Sequence, residues 1–432
     1  MKNRKIIIYV LCTVFMMSCE SEKKKKEQEP STQIKKEVTA KDILGNPDYL
    51  AISYGGYREK TRDSQPSIAE LKEDLRILSA MGIKLIRTYN VQPKLPHASN
   101  VLKAISELKT EDQNFEMYVM LGAWIDCLNA WTDKVPNHEV ESPNNEGEIK
   151  RAVALANQYP DIVKIIAVGN EAMVKWATSY YVQPAVILKW VKHLQELKNK
   201  GELPKDLWIT SSDDFASWGG GESSYHVDDL NELIKAVDFI SMHTYPYHNT
   251  HYNPEFWGVP EAHANMPDTT KIEMAMERAI KFAQKQYDSV TNYMKSLGVN
   301  KPIHIGETGW ATTSTGYYGP DGSRATDEYK QGLYYKQMRR WTNRAGISCF
   351  YFEAFNEQWK DAHNPYGSEN HFGLFTIDGE AKYPIWDLVD KGIFKGLKRN
   401  GNPIVKTYNG NKKALLKEVL VPPSENEIMA NK

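Results

Sequence analysis

From residue 49 onward the chain repeats one pattern eight times: a short, nearly continuous apolar run, then an amphipathic stretch of helical period. The apolar runs are YLAISYGG (49–56), LIRTYN (85–90), FEMYVMLGAW (115–124), VKIIAVGNE (163–171), LWITSSDD (207–214), VDFISMHTYPY (237–247), KPIHIGETGW (301–310) and SCFYFEAFNE (348–357). Helical spacing is clearest over 67–82, 185–200 and 328–346. Strands apolar on both sides must be covered on both sides, which is the condition of a parallel sheet flanked by helices. Eight such units over about 350 residues predict a single α/β domain, a (β/α)8 TIM barrel with extended βα loops. An open doubly wound sheet would put a Gly-rich phosphate loop after its first strand, and Tyr54-Gly55-Gly56-Tyr57 does not match GxGxxG.

The flanks read differently. MKNRKIIIYVLCTVFMMSCE has a basic start, an apolar stretch from Ile6 to Met17 and then Ser18-Cys19. It is too short for a stable span and predicts a lipoprotein-type signal peptide over 1–18, with Cys19 as the lipidated residue, or failing that a plain secretory signal. Residues 19–42 are charged and without periodicity, so a flexible tether is expected there, with the catalytic barrel over 43–396 and a polar C-terminal extension over 397–432. The expected location is the cell envelope, lipid-anchored to a membrane, or otherwise secreted. Lys plus Arg (54) nearly balances Asp plus Glu (55), and glutamates interrupt the run from Lys23 to Lys26, so no nucleic-acid partner is expected. Beyond Cys12 and Cys19 there remain Cys127 and Cys349, read as two buried thiols or one disulfide.

In a barrel, chemistry collects at the carboxyl ends of the strands. Here those ends carry Tyr54, Arg87, Tyr89, Asn170-Glu171, Tyr245, Glu307 and Glu357. Strict alternation puts Ile165, Ala167, Gly169 and Glu171 on one face of strand 4, and Ile303, Ile305 and Glu307 on one face of strand 7. With both faces inward, Glu171 and Glu307 meet across the mouth. Either alone would suit a loop salt bridge. As a pair, one protonated and one ionised, they supply what glycoside hydrolysis needs: an acid for the leaving oxygen and a carboxylate to attack the anomeric carbon or activate water.

The longer strings resemble glycoside hydrolase family 17, the β-1,3-glucanase family. IHIGETGWATTSTG (303–316) is similar to its nucleophile strand and IIAVGNEA (165–172) to its acid/base strand; YFEAFNEQWK (351–360) followed by ENHFGLF (369–375) is similar to its eighth-strand segment. YPY after strand 6 and SYGG in strand 1 also match, and the likeness covers roughly 49–376. It implies Glu171 as acid/base and Glu307 as nucleophile of a retaining, endo-acting hydrolase of laminarin-like β-glucan, with Asn170 on the sugar 2-hydroxyl and Tyr245 orienting the nucleophile. Glu357, Lys360 and Glu369 match a charged group beside the cleft. Tyr54, Arg87 and Tyr89 would bind substrate or shape the barrel top, and Trp310 and Phe372 would stack on sugars or pack beneath the strand ends.

The sequence departs from the family pattern at Ala311, Ser53 and Asn356, and in long segments near 127–145, 246–268 and 311–326, which bear on cleft shape. The same glutamates would serve a β-1,3-glucan transglycosylase or an exo-acting glucosidase; a non-catalytic surface glycan-binding lipoprotein would not need both. His243, His248 and His251 in HTYPYHNTH do not have the spacing of helical zinc motifs, so no metal is expected, and no cofactor is implied.

Overall fold

The computed structural model describes residues 37–430. Its barrel strands are β1 (Leu50–Ser53), β2 (Ile83–Arg87), β3 (Tyr118–Ala123), β4 (Val163–Asn170), β5 (Trp208–Asp214), β6 (Ile240–His243), β7 (Ile303–Gly309) and β8 (Cys349–Phe352). Each pairs in parallel with the next, and β1 pairs with β8, so the sheet closes. Seven fall inside the apolar runs, and β2 overlaps its run but starts two residues earlier, at Ile83. Helices Ile68–Ala80, Pro184–Lys200 and Glu328–Ala345 fill the stretches of helical period. The first starts on a Ser67/Glu70 capping box, and the other two end on Gly201 and Gly346 in the left-handed region. The eighth unit is the exception, with the short helices Trp386–Asp390, Lys412–Lys417 and Glu425–Ala430 following β8.

Two layers of apolar packing hold the barrel. The larger lies between strands and helices. The smaller fills the lower interior with Ala51, Leu85, Met120, Ile165, Phe239 and Phe350, closed from below by Ala40, Ile43 and Leu44. That plug belongs to the helix Ala40–Ile43, started by a capping box between Thr39 and Asp42. The expected tether therefore ends earlier than residue 42, because Ala40 and Ile43 have apolar surface to bury; one compact unit runs from Val38.

The C-terminal segment also differs from expectation. Residues 397–430 are folded onto the barrel rather than forming a loose polar extension. Arg399 is fully buried, with its Nε 2.9 Å from an oxygen of Asp74, Leu415 is buried, and Ser424 bridges to Val259. The segment is polar by composition, but its charges are paired, which is how buried charge is tolerated. Cys127 and Cys349 are buried free thiols. No described helix is long and apolar enough to cross a membrane. The expected signal peptide, Cys19 and the first part of the tether lie outside the described residues.

Candidate active site

Above the apolar floor the barrel interior turns polar. Phe239, Ser241 and His243 point inward in strict alternation along β6, and Ser212 of β5 meets both polar side chains: its Oγ is 2.9 Å from Ser241 Oγ and 2.7 Å from His243 Nε2. The neighbouring strands break that alternation. On β7, Ile303 and Ile305 pack outward against the helices, contrary to the expected inward face. A register shift lets Met242 face Ile305 and His243 face Glu307, which brings Gly306 and Glu307 both to the inner side. A Cβ on Gly306 would sit 2.1 Å from Ser241 Oγ, so only glycine fits against the serine layer. β4 does the same: Ala167 and Asn170 pair with Thr210 and Ser212, leaving an extra residue. Gly169 (φ 81°) takes it up, aimed at Ile187 of the outer helix. Glu171 follows with φ 48°, an uncommon conformation for a residue with a side chain. Bulges, not alternation, deliver both glutamates.

Glu307 is the hub of the mouth. Its Oε2 accepts from Arg87 at 2.5 Å and from the Tyr89 hydroxyl at 3.0 Å, and its Oε1 accepts from the Tyr245 hydroxyl at 2.6 Å. Burial alone would raise its pKa, but His243, protonated at the low pH where Glu307 titrates, together with the Arg87 charge and the Tyr245 hydrogen bond, outweighs it and holds the carboxyl at about 2. Arg87, fully buried, also donates to Gly306 O at 3.0 Å and to Asn170 Oδ1 at 2.5 Å, tying β2, β4 and β7 together.

Glu171 has the opposite surroundings. Its Oε1 lies 3.0 Å from His243 Nδ1, and its backbone N–H donates to Ser212 O at 2.9 Å. Burial, then the negative charge of Glu307, pushes its pKa up to about 8. Burial pulls His243 down to about 4, so at neutral pH the imidazole is uncharged and Arg87 is the cation nearest the pair. One carboxyl is thus protonated and the other ionised at pH 7. Ligand atoms of Glu171, His243 and Glu307 lie within 4.8 Å of one another. That cluster is compact enough for a cation, but the Arg87 guanidinium already neutralises Glu307, and a second positive charge there would be repelled.

The expected site residues divide into three groups. Glu171, Glu307, Asn170, Arg87, Tyr89 and Tyr245 converge. Lys360, Glu357 and Glu369 stand beside them. Lys360 Nζ is 3.4 Å from Glu357 Oε2 and 2.8 Å from Glu353 Oε2, and the negative charge of Glu307 helps burial raise the Glu369 carboxyl. Three others do not line the mouth. Tyr54 is fully buried and donates to Asp74 Oδ2 at 3.1 Å. Trp310 is fully buried, its Nε1 donating to Ala325 O at 2.8 Å. Phe372 is buried edge-on beneath Tyr245, with ring centroids 6.1 Å apart. Each ring has more apolar area to bury than the open cleft allows, so Trp310 and Phe372 pack beneath the strand ends.

Sequence reasoning missed Glu353, a buried partner of Lys360, because it precedes the expected strand end. It also missed His243 as a neighbour of Glu171, having weighed it only with the loop histidines. Alternation along β6 was the signal that could have found it. Of those loop histidines, His248 lies 3.1 Å from the Tyr318 hydroxyl and His251 stacks on Tyr317.

Comparison with known proteins agrees with this geometry. The BtgE/BtgC glycoside hydrolase domain matches residues 51–373. A glucan 1,3-beta-glucosidase of Arthroderma benhamiae is 25% identical over 331 residues, 73% of this chain and 83% of its own. A putative glucan endo-1,3-beta-glucosidase, btgC, of Aspergillus niger is 25% identical over 314 residues; the match spans 70% of this chain but only 37% of that longer protein. The crystal structure of an endo-laminarinase from Formosa Hel1_33_131 superposes with a TM-score of 0.89 at 69% identity, covering 90% of this chain and 98% of that one. With a domain match over most of its length and a solved relative this similar, the chain belongs to the glycoside hydrolases of the BtgE/BtgC family.

Proposed function

We propose that this protein is a retaining β-1,3-glucanase that cuts within laminarin-like chains. The observation that carries the mechanism is the carboxylate pair: close together, within the 4.8 Å span of their cluster, with one acid protonated and the other ionised. Retaining enzymes hold the two carboxyls about 5–5.5 Å apart, whereas inverting ones leave room for water at about 6.5–9.5 Å. The substrate rests on the relatives, above all the endo-laminarinase.

In the first step Glu307 attacks the anomeric carbon while Glu171 gives its proton to the glycosidic oxygen. The C–O bond breaks, the leaving sugar departs as an alcohol, and a glycosyl ester forms on Glu307. Glu171, now ionised, takes a proton from water, whose oxygen displaces the ester; Glu307 is freed and the configuration is restored. Arg87, Tyr89 and Tyr245 hold the nucleophile in line, and Asn170, fixed by Arg87, faces the sugar 2-hydroxyl. Glu357, Lys360 and Glu369 border the same cleft.

The test is digestion of linear β-1,3-glucan, with product sizes followed by chromatography and anomeric configuration by NMR. Mixed oligosaccharides released first in the β form, with Glu171→Ala and Glu307→Ala nearly inactive, are expected. Initial α products would refute retention, binding without cleavage would favour a glycan-binding protein, and longer products than substrate would favour transglycosylation.

The basic start, the apolar stretch from Ile6 to Met17 and Ser18-Cys19 support export with a lipid anchor at Cys19 at the cell envelope. Metabolic labelling with a radioactive fatty acid should mark the wild type and not Cys19→Ser; equal labelling of both would refute the assignment.

A further inference from the structure

The loop after β3 carries a feature that the catalytic centre does not use. Cys127–Leu128 and Asn137–Glu141 pair as a small antiparallel hairpin. In its turn stands Trp131, 63% exposed and at φ 60°. A bulky side chain in the left-handed region is strained, and such strain persists where the surroundings impose it. Here the surroundings are aromatic. Trp131 stacks on Tyr180 at 5.0 Å and 22°, and Trp124 lies 5.2 Å from Tyr180 and 6.2 Å from Trp131. The Trp124 indole is fixed by donating to Asp126 Oδ2 at 3.2 Å.

Tyr180 belongs to the loop that leaves Glu171, and the hairpin clamps that loop. Cys127 N–H donates to Tyr180 O at 3.1 Å, and His138 stacks on Tyr181 at 3.6 Å. Val174, Ala177 and Tyr180 form a small core of their own, against which Trp124, Ala130 and Tyr181 pack. The group is therefore packed together and continuous with the loop of the acid, with Trp131 as its most exposed ring. Val182 N–H donates to Ala172 O at 2.7 Å, which folds the stretch carrying Tyr180 back to the residue next to Glu171 and sets that ring beside the mouth.

We propose that Trp131, Tyr180 and Trp124 form a binding subsite for a β-1,3-linked glucosyl unit on the leaving side of the bond that is cut. A glucose ring presents an apolar C–H face suited to stacking on an indole. The side follows from chemistry: the oxygen that Glu171 protonates departs with the leaving sugar, so a surface joined to the Glu171 loop meets that part of the chain. This inference rests on the glucanase reading and adds to it a residue that governs chain length and internal cutting, set apart from bond breaking.

The experiment compares two substrates that share the attacked sugar. Laminarihexaose fills the leaving side, whereas β-laminaribiosyl fluoride leaves only a fluoride ion. In Trp131→Ala the ratio of kcat/KM for hexaose to that for fluoride should fall about 5- to 10-fold, mainly through KM on the hexaose. Trp131→Phe should restore most of that ratio, since it keeps a stacking ring. An unchanged ratio would overturn the subsite, and so would an equal fall on both substrates, which a merely structural role would give. A wild-type protein inert on both substrates would instead refute the glucanase reading, and the subsite with it.

Discussion

The two ends of the barrel interior are built from the same strands and have opposite chemistry. At the lower end Ala51, Leu85, Ile165, Phe239 and Phe350 close on a capped helix and exclude water. At the upper end Arg87 of β2 and Ser241 and His243 of β6 follow the floor residues of their own strands, and Ser212 of β5 and Glu307 of β7 join them. The difference shows how each end depends on the other. A dry floor lowers the effective dielectric beneath the mouth, so Arg87 acts on Glu307 more strongly than a surface arginine would. Without that floor the two carboxyls would both relax towards ordinary values, and the separation between about 2 and about 8 would shrink.

The largest effect that separates the two ends should come from the floor. Phe239 is fully buried, with Trp208 at 5.8 Å and His304 at 5.4 Å. Phe239→Ala removes a large ring where neighbours on closed strands cannot collapse inward, a loss of about 3–5 kcal/mol of stability. Denaturant unfolding should show it. The substitution leaves the other floor residues and the serine layer in place beneath the carboxylates, so the mouth stays shielded and kcat of the folded variant should stay within about twofold of wild type. A collapse of kcat alongside the stability loss would mean that the floor and the mouth are not separable in this way.

The same contrast explains what the sequence disclosed. Eight apolar runs located every barrel strand, because a strand buried on both faces leaves a continuous hydrophobic signal. Strict alternation then failed where function begins. It put Ile303 and Ile305 on the same side as Glu307, whereas the bulge at Gly306 separates them. Nothing in residue spacing marks a bulge except the glycine itself. Tyr54, open in the sequence to substrate binding or to shaping the barrel top, takes the second part: a polar-tipped ring at a strand end also suits a buried hydrogen bond, and Asp74 supplies one. Trp131 gave no signal at all, since a tryptophan in a long loop has no periodic partner and its stack with Tyr180 brings together residues from separate loops. The terminal segments misled through composition. Charge predicted looseness, but Arg399 and Asp74 are paired in the interior.

A smaller effect with a distinctive sign sharpens the comparison from the upper end. Glu171 titrates at about 8 in the fold, against an ordinary value of 4.5. Below pH 4.5 both folded and unfolded chains keep the proton and nothing is lost. Between 4.5 and 8 the unfolded chain releases it while the folded one retains it, so stability declines as pH rises; above 8 the penalty is constant. Glu171→Gln removes the titrating group at the cost of altering one contact, to His243 at 3.0 Å. The variant should therefore be inactive yet melt above wild type at pH 8, by roughly 3–5 °C, with the difference shrinking towards zero at pH 4. Glu307 carries the opposite sign: its depressed carboxyl stabilises the fold above pH 4.5 and loses that contribution as pH falls towards 2. Glu307→Gln should accordingly melt below wild type at pH 8. Two melting curves that shifted the same way would show that the mouth does not hold one acid and one base apart, and the division of labour between Glu171 and Glu307 would fall with it.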